Sequence, residues 1–362
     1  MPHRPPHPTL RRSPAPRVPL FAWAAGVLAL VLGASGIGAS AGAAWAQQTA
    51  GPVFELPVNC AVGHICHVQN YFDTDPSAGA ADYTCGALTY DGHTGIDIRV
   101  PNLAWMKRGV SVIAAAPGRV RGARDGVADV NIKDAGAGSV RGRECGNGVV
   151  VDHGGGWETQ YCHMMQGSIV VAAGAEVQTG EPLGLIGLSG LTEFPHVHFQ
   201  VRYLGNAIDP LTGGAAGAAC DEPGASLFSD AAMRDLTYRP TGLLNAGFTS
   251  AAPKGREVLA GEHQRPVLAG RSGALVFWVE VYGAMAGDRE RFRITAPDGE
   301  VLFDAEKEGP DRHKASWLTF MGKRLTGDTW PPGAYSGEFV LERMTDGAWR
   351  PIVEVTRTVE VR

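Results

Sequence analysis

The chain has 362 residues, of which 32 are basic and 37 acidic, so its formal net charge is −5. This length exceeds what one domain usually needs, so two domains are expected. Outside the N-terminal leader, the chain has no basic tract that would indicate a nucleic-acid partner and no segment apolar enough to cross a membrane.

Residues 1–46 have the layout of a secretory signal peptide. Four arginines precede or adjoin an apolar run from Val18 to about Ala34, and small residues follow up to Ala44-Trp45-Ala46, an A-x-A cleavage pattern. Cleavage after Ala46 would remove those arginines, leave 28 basic against 37 acidic residues, and place the mature chain in the periplasm or outside the cell. An uncleaved membrane anchor is the alternative, because the apolar run is long enough to span a bilayer.

All six cysteines lie after this leader and before residue 221, at positions 60, 66, 85, 145, 162 and 220. An even number in an exported chain predicts disulfides rather than free thiols, and three bridges allow 15 connectivities. Cys60 and Cys66 could close a short loop, and Cys145 and Cys162 could pair because they flank one predicted hairpin. A zinc knuckle built on Cys60, Cys66 and the two nearby histidines is the rival hypothesis, but its spacing is tight and irregular.

The segment from Gln47 to Gly92 is rich in Gly, Asp, Pro and Cys and shows little periodicity. It predicts an N-terminal extension stapled by disulfides around the body of the protein. Two short strands are expected around Pro117-Gly118, followed by a long polar, glycine-rich loop over residues 121–146. A hairpin then returns along Glu158 to His163, so His163 should lie at the end of a strand.

Between Ser168 and Gly190, apolar residues are punctuated by glycines as in the hybrid barrels of lipoyl and biotinyl carriers. A carrier needs a lysine presented in a tight turn, and no lysine occurs between Lys133 and Lys254. The carrier hypothesis is therefore dismissed. The antiparallel β-barrel architecture is retained as a prediction for the body, residues 47–236.

Residues 211 to about 250 are small, polar and turn-rich, which predicts a linker, with its core at 237–250, and a short helix near Ser229 to Leu236. Beyond it, alternating runs separated by Pro-Gly or Asp-Gly turns predict a cysteine-free, immunoglobulin-like β-sandwich over residues 251–362. The runs are 274–282, 291–296, 300–304, 316–321, 334–343 and 352–361. Trp278, Trp317 and Trp330 are expected in its core rather than in a glycan-binding surface.

Two short motifs about a hundred residues apart could hold one metal ion. On a strand, His196 and His198 would share a face, with Cα atoms roughly 6–7 Å apart. His93 and Asp97 would be roughly 13 Å apart on a regular strand, so the chain must bend between them, and Gly95 is expected to permit the bend. Two imidazoles and one carboxylate are a normal set of protein ligands for catalytic zinc.

With Tyr161-Cys162-His163 between them, these motifs resemble the lysostaphin-type, or LytM-type, zinc metalloendopeptidases, which hydrolyse peptidoglycan. The family pattern is H-x-x-x-D, then a strand that ends in a histidine, then H-x-H. The resemblance runs from about Gly92 to Val201 and includes the segments Gly148 to Gly154 and Gly184 to Gly187. It implies an all-β body, an antiparallel β-barrel of the duplicated hybrid motif type.

The resemblance also implies a role for each of five residues. His93, Asp97 and His198 would hold Zn²⁺, while His163 and His196 would lie beside the bound water and the scissile carbonyl. A neutral imidazole can take a proton from water, and an imidazolium can stabilise an oxyanion. The assignment of these two roles within the pair stays open.

The function implied is that of an exported zinc metalloendopeptidase acting on the peptide stems or cross-links of peptidoglycan, with no membrane contact once the leader is removed. One alternative is a catalytically weak or inactive member of the same fold that binds the wall and activates a separate amidase. A second is a metallopeptidase that acts on proteins. Because the five chemical positions end at His198, residues from about 250 onward are expected to fold alone and to be dispensable for bond cleavage.

The family commonly has a small, glycine-containing stretch before its H-x-H, whereas this chain has Leu191 to Pro195. A bulky aromatic and an acid are therefore expected at the rim of the cleft. His153 is expected to be a structural turn residue. Four histidines belong to no recognisable motif and are expected at the surface, namely His64, His67, His263 and His313.

Overall fold

The computed structural model of the chain describes residues 51–220, 224–263 and 267–362. The predicted signal peptide lies outside the described residues and stays a prediction. Within these ranges no helix combines the length and the apolar character needed to cross a membrane.

The described residues are nearly all β-structure, as predicted, with eighteen strands. In chain order the strands are β1 His67–Asn70, β2 Ile96–Arg99, β3 Ser111–Ile113, β4 Gly118–Arg124, β5 Asn147–Gly154, β6 Trp157–Met164, β7 Glu176–Val177, β8 Pro182–Leu185, β9 His196–Tyr203, β10 Asn206–Ile208, β11 Gly242–Thr249, β12 Val267–Leu268, β13 Ala274–Ala284, β14 Arg289–Thr295, β15 Val301–Glu308, β16 Lys314–Arg324, β17 Gly333–Thr345 and β18 Ala348–Val361.

Four α-helices interrupt the strands, and all of them are short. They are α1 Leu103–Arg108, α2 Ile132–Ala135, α3 Asp230–Asp235 and α4 Gly255–Ala260, with a 3₁₀ turn at Ala137–Val140. The predicted helix near Ser229 is confirmed as α3. Its N-terminus is capped by the Ser229 hydroxyl, which accepts a hydrogen bond from the amide of Ala232.

The body contains an antiparallel sheet in the order β1-β2-β9-β6-β5-β4-β7, with β10 added beside β9. The described residues form no closed barrel, because the end strands β1 and β7 do not pair with each other, so the predicted barrel is not confirmed. The strand at one end, β7, has only two residues and cannot continue the ladder. Instead, β3 and β8 form a separate pair, and Val112 and Leu183 from this pair lie in the same apolar core as the large sheet.

The pairing of β2 with β9 positions the two candidate metal-binding motifs. Asp97 lies directly opposite His198, and Cys162 of β6 lies opposite His198 on the other side. Ile96 and Ile98 point into the core, as the alternation predicted, so Asp97 faces away from it. The register alone therefore brings residues from distant parts of the sequence to one face of the sheet.

All six cysteines form disulfides, in the pairs Cys60–Cys66, Cys85–Cys220 and Cys145–Cys162. The prediction of disulfides is confirmed, together with the two pairs that the sequence suggested. The zinc-knuckle hypothesis is excluded, because its two cysteines are bonded to each other. Cys145–Cys162 links the segment before β5 to the residue that precedes His163.

The C-terminal strands form two sheets, one in the order β11-β13-β16 and the other in the order β12-β18-β17-β14-β15. The sheets share one apolar core, in which Phe248 and Phe277 of the first sheet contact each other and Phe277 contacts Phe292 of the second. All six predicted strands are present. Trp278 and Trp330 are buried and Trp317 is partly buried, as expected.

The predicted linker at 237–250 is wrong over Gly242–Thr249, which forms β11 and pairs with β13. Its small residues are needed for packing rather than for flexibility. A Cβ at Gly242 would lie 2.5 Å from the ring of Tyr282, and one at Gly247 would lie 3.2 Å from the ring of Trp278. A strand that contains glycines has a composition similar to that of a linker. The composition of this segment therefore led to the wrong prediction.

The described residues from both regions belong to one compact unit, although they hold two separate apolar cores. Asn102 caps α1 and also donates a hydrogen bond of 2.9 Å to the side-chain oxygen of Asn245 in β11. Arg256 of α4 forms an ion pair of 2.6 Å with Asp134 in α2. The body and the C-terminal strands therefore contact each other through polar groups, and the domain boundary stays a prediction.

His67 departs from the surface position expected of it. It lies in β1 with 6% of its area exposed, and its ring centroid is 5.4 Å from that of Tyr282. Burial, and then the positive charge of Arg99, lowers its pKa to about 4. The histidine is therefore neutral in the folded protein at neutral pH.

We predict that His67 makes the fold sensitive to acid. The unfolded chain binds a proton near pH 6.5, whereas the folded chain resists protonation of His67 down to about pH 4. Stability is therefore lost as the pH falls through this window, by about 2 kcal/mol between pH 7 and pH 5. Urea unfolding at both pH values should show a smaller loss in His67→Gln. The exposed control His64→Gln should lose as much as the wild type, and an unchanged slope in His67→Gln would contradict the assignment.

We also predict a rank order for the three disulfides. Each stabilises mainly by restricting the unfolded chain, so the stabilisation grows with the separation of the two cysteines, which is 135 residues for Cys85–Cys220, 17 for Cys145–Cys162 and 6 for Cys60–Cys66. Replacing each pair with serines should cost about 5, 3 and 2 kcal/mol respectively. Urea unfolding of the three double variants measures this, and the reverse order would show that local strain or packing dominates instead.

Candidate metal centre

Three side-chain atoms converge on the polar face of the sheet. The Nε2 of His93 lies 3.1 Å from Oδ1 of Asp97 and 3.1 Å from Nδ1 of His198, and the His198 nitrogen lies 2.9 Å from the same Asp97 oxygen. Atoms bound to one tetrahedral zinc ion at about 2.0–2.1 Å are roughly 3.3 Å apart. The spacing of this triad therefore fits a single small cation.

The hydrogen bonds around the triad support the same conclusion. Nδ1 of His93 lies 2.6 Å from the backbone carbonyl of Tyr71, which can only accept, so this nitrogen carries the proton. When the ring is neutral, the opposite nitrogen carries the lone pair, and it faces the Asp97 carboxylate and His198. A hydrogen bond of this kind from the second ring nitrogen is typical of histidines that bind metals.

Asn70 completes the triad in a way that the sequence did not reveal. Its side-chain amide donates a hydrogen bond of 2.8 Å to Oδ2 of Asp97, which leaves Oδ1 directed at the two histidines. Asn70 and Tyr71 both lie in or beside β1, within the extension for which the sequence showed no periodicity. No motif marks them, so only the register of β1 against β2 could have identified them.

The expected bend between His93 and Asp97 is present, because β2 begins only at Ile96. The left-handed backbone of Gly92, with φ of 75°, lies just before this segment and not within it. Gly95 is required for a different reason: a Cβ there would lie 2.4 Å from the carbonyl oxygen of Phe199 and 3.0 Å from the ring of His198. Any side chain at this position would displace the His198 ring.

The two histidines without a predicted metal role lie beside the triad. The ring centroids of His163 and His196 are 4.7 Å apart, and His163 is 6.2 Å from His198. His163 has a left-handed backbone, with φ of 61°, at the end of β6, where its chain leaves the regular strand. All five residues that the sequence singled out are therefore brought together.

Both of these histidines are oriented by backbone carbonyls. Nδ1 of His163 donates to the carbonyl of Ser189 at 2.8 Å, and Nδ1 of His196 donates to the carbonyl of Phe194 at 2.9 Å. Each ring therefore presents its Nε2 to the site, and that of His196 lies 3.3 Å from Oδ1 of Asp97. Two imidazoles in this state can supply a proton acceptor and, after protonation, a donor.

Burial and charge set the protonation states of the site. For Asp97, burial would raise the pKa, but the charges of His93 and His196 and the hydrogen bonds from His196 and His198 hold the pKa well below its usual value. For His163, burial and then the nearby His196 and His198 lower the pKa well below its usual value. The site therefore combines an ionised carboxylate with a neutral histidine, as a metal ligand and a proton acceptor require.

The segment Leu191 to Pro195 lies against the site, as expected. The ring of Phe194 stacks on that of His196, with centroids 4.5 Å apart and planes inclined by 29°. Glu193 forms an ion pair of 2.5 Å with Lys133 in the loop 121–146. The predicted aromatic and acid therefore border the site, and the polar loop reaches it.

The remaining histidines take no part in this site. His153 donates to the carbonyl of Pro117 and contacts the hydroxyl of Thr159, which confirms its structural role. His64 and His313 are exposed, as predicted, and His263 is partly exposed beside Glu257.

The sequence profile described as Peptidase family M23 matches residues 91–210. Among curated proteins, the DD-carboxypeptidase/endopeptidase Mpg of Neisseria meningitidis serogroup B is 31% identical over 124 residues, which cover 34% of this chain and 23% of that protein. The murein hydrolase activator EnvC of Escherichia coli K12 is 37% identical over 62 residues, which cover 17% of this chain and 14% of that protein. The chain spans less than a quarter of the length of the curated relatives it matches.

Among solved structures, the catalytic domain of lysostaphin from Staphylococcus simulans is 21% identical, covering 39% of this chain and 85% of that one, with a TM-score of 0.25. The match to the family profile contains all five residues of the candidate site. Residues 91–210 therefore resemble peptidase family M23, and the match covers about a third of the chain.

Proposed function

We propose that this chain is an exported zinc metalloendopeptidase that hydrolyses peptide bonds in peptidoglycan. The observation that carries the proposal is the convergence of His93, Asp97 and His198 within 3.1 Å of one another, with two further histidines beside them. Export is supported by the leader pattern and by three disulfides, which persist in oxidising compartments. The proposed peptidoglycan substrate is supported by relatives that the chain matches, among them a DD-carboxypeptidase/endopeptidase and a murein hydrolase activator.

In this proposal His93, Asp97 and His198 would hold Zn²⁺. The ion supplies a Lewis acid for the scissile carbonyl and for the attacking water. His163 and His196 would face that water and carbonyl through Nε2, because their Nδ1 protons are fixed on backbone carbonyls. One neutral ring could accept the proton of the water, and the other, once protonated, could donate to the oxyanion that develops on the substrate.

A second candidate function is regulatory: a wall-binding protein that activates a separate amidase. The similarity to the activator EnvC over 62 residues favours it. A complete ligand triad, together with two oriented histidines, favours the enzyme instead. Zinc content and wall digestion separate the two candidates.

We predict that the ligands and the acid–base pair respond differently to alanine. Replacing His93, Asp97 or His198 removes one of three protein ligands, so zinc and activity should be lost together. In His163→Ala and His196→Ala, zinc should stay near one per chain while turnover falls by roughly 10²–10⁴-fold.

Metal analysis paired with a turnover assay on all five variants tests this assignment, with the exposed His64→Ala as the matched control. Loss of zinc in His196→Ala, with zinc retained in His198→Ala, would reverse the roles within the H-x-H pair.

We further predict that the zinc-loaded mature protein releases peptide fragments from purified peptidoglycan and does not digest an unfolded protein at a comparable rate. Mass analysis of the products identifies the bond, and a chelator should abolish the release. Digestion of the protein substrate alone would favour the general metallopeptidase. Zinc binding without any digestion would favour the regulatory candidate.

A further inference from the structure

A cleft of about 580 Å³ lies beside the metal centre, between the body and the C-terminal strands. On the body side it is lined by Arg99 of β2, by Phe194 and by the loop that contains α2. On the other side it is lined by α4 and by neighbouring residues of β13 and β16, among them Glu280 and Leu318. Its volume is within the range of small-molecule and peptide pockets.

Phe194 connects this cleft to the catalytic residues. One face of its ring stacks on His196, and the guanidinium carbon of Arg99 lies 4.8 Å from the ring centroid. The ring is therefore the common wall of the cleft and of the metal centre. The cleft and the metal centre are therefore adjacent.

The two walls of the cleft are held together by specific contacts. Arg256 of α4 pairs with Asp134 at the rim, and Asn102 of the body is hydrogen-bonded to Asn245 of β11. On the body side, the side chain of Asn131 donates a hydrogen bond of 2.6 Å to the carbonyl of Glu193. These contacts preform the cleft, so a ligand would bear little of the cost of ordering it.

We propose that this cleft binds the substrate peptide on one side of the scissile bond, with the C-terminal sandwich as one of its walls. The proposal rests on the peptidase function proposed above and adds a peptide-binding subsite. The occupant is an extended peptide, because the lining combines aliphatic side chains such as Leu259 and Leu318, which suit apolar side chains, with charged groups, which suit polar ones. Residues beyond position 250 would then contribute to substrate binding, contrary to the expectation that they are dispensable.

The test introduces a bulky side chain into the cleft from the C-terminal strands. Leu318 and Phe320 lie two residues apart on β16 and share a face, but only Leu318 lines the cleft, while Phe320 is 38% exposed elsewhere. Leu318→Trp is the test variant, and Phe320→Trp is the matched control. Ala260→Trp fills the cleft from α4 and serves as an independent second variant.

Each variant is assayed on a cross-linked muropeptide dimer and on a short peptide with one residue on each side of the bond. In Leu318→Trp and Ala260→Trp, KM for the dimer should rise by about tenfold or more, which corresponds to a loss of about 1.4 kcal/mol of binding. The turnover number, the zinc content and the cleavage of the short peptide should stay near wild type. Phe320→Trp should match the wild type on both substrates.

Wild-type KM for the dimer in both cleft variants would overturn the subsite while leaving the proposed function intact. An equal loss in Phe320→Trp would also overturn it, because the effect would not be specific to the cleft. If the wild-type protein cleaved neither substrate, the proposed function would fail. Calorimetric binding of the dimer would then decide the subsite: weaker binding in the two cleft variants supports it, and equal or absent binding refutes it.

Discussion

The antiparallel register between β2 and β9 is the constraint on which the metal centre depends. It sets Asp97 opposite His198, and the alternation of side chains sends both to one face while Ile96, Ile98 and Phe199 enter the core. A slip of one residue would put the carboxylate and the imidazole among apolar side chains and expose the isoleucines. Burial of each large apolar side chain contributes about 1.5–3 kcal/mol, so packing of the core favours the register of the site by several kcal/mol.

Three backbone carbonyls then fix the direction of the imidazoles. They belong to Tyr71, Ser189 and Phe194, which lie in three different connecting segments. The strands carry the histidines, while the segments between the strands determine which nitrogen faces the metal site. The extension before residue 92 is therefore part of the site, because it supplies Tyr71 and the Asn70 amide that orients Asp97.

The sequence could single out the five residues that the structure brings together because each belongs to a short motif of side chains that can bind metal or transfer protons. It also predicted α3, since Ser229 caps its N-terminus, and the strands of the sandwich, whose alternation is regular. Asn70 and the carbonyl of Tyr71 could not be predicted. Their role comes from the register of β1 against β2, and a backbone carbonyl has no signature in the sequence.

The errors of the sequence analysis have a shared physical origin. Glycine was interpreted as flexibility at Gly95 and in the segment 237–250, whereas at Gly95, Gly242 and Gly247 the structure requires it for close packing. The barrel was inferred from the apolar residues punctuated by glycines between Ser168 and Gly190 and from the family resemblance, and it is not confirmed. Whether a sheet closes depends on its end strands, and the two residues of β7 are too few to carry a distinct signal.

The domain boundary predicted near residue 250 also depends on contacts that the sequence motifs do not reveal. All five chemical positions end at His198, so the sequence assigned the C-terminal strands to a separate role. Arg99, however, is 1% exposed, and in the described ranges it has hydrogen bonds to Gln69 and to backbone carbonyls but no ion pair. Burial lowers its pKa to about 10, and the charge of Glu280 in β13 acts in the opposite direction.

A buried guanidinium is costly unless an opposing charge and hydrogen bonds offset its desolvation. The opposing charge that acts on Arg99 comes from the C-terminal strands, while Arg99 itself stacks on Phe194, the ring that packs against His196. The five candidate site residues therefore end at His198, but the groups that support them extend to Glu280. A boundary placed by the motifs alone separates a side chain from the charge that stabilises it.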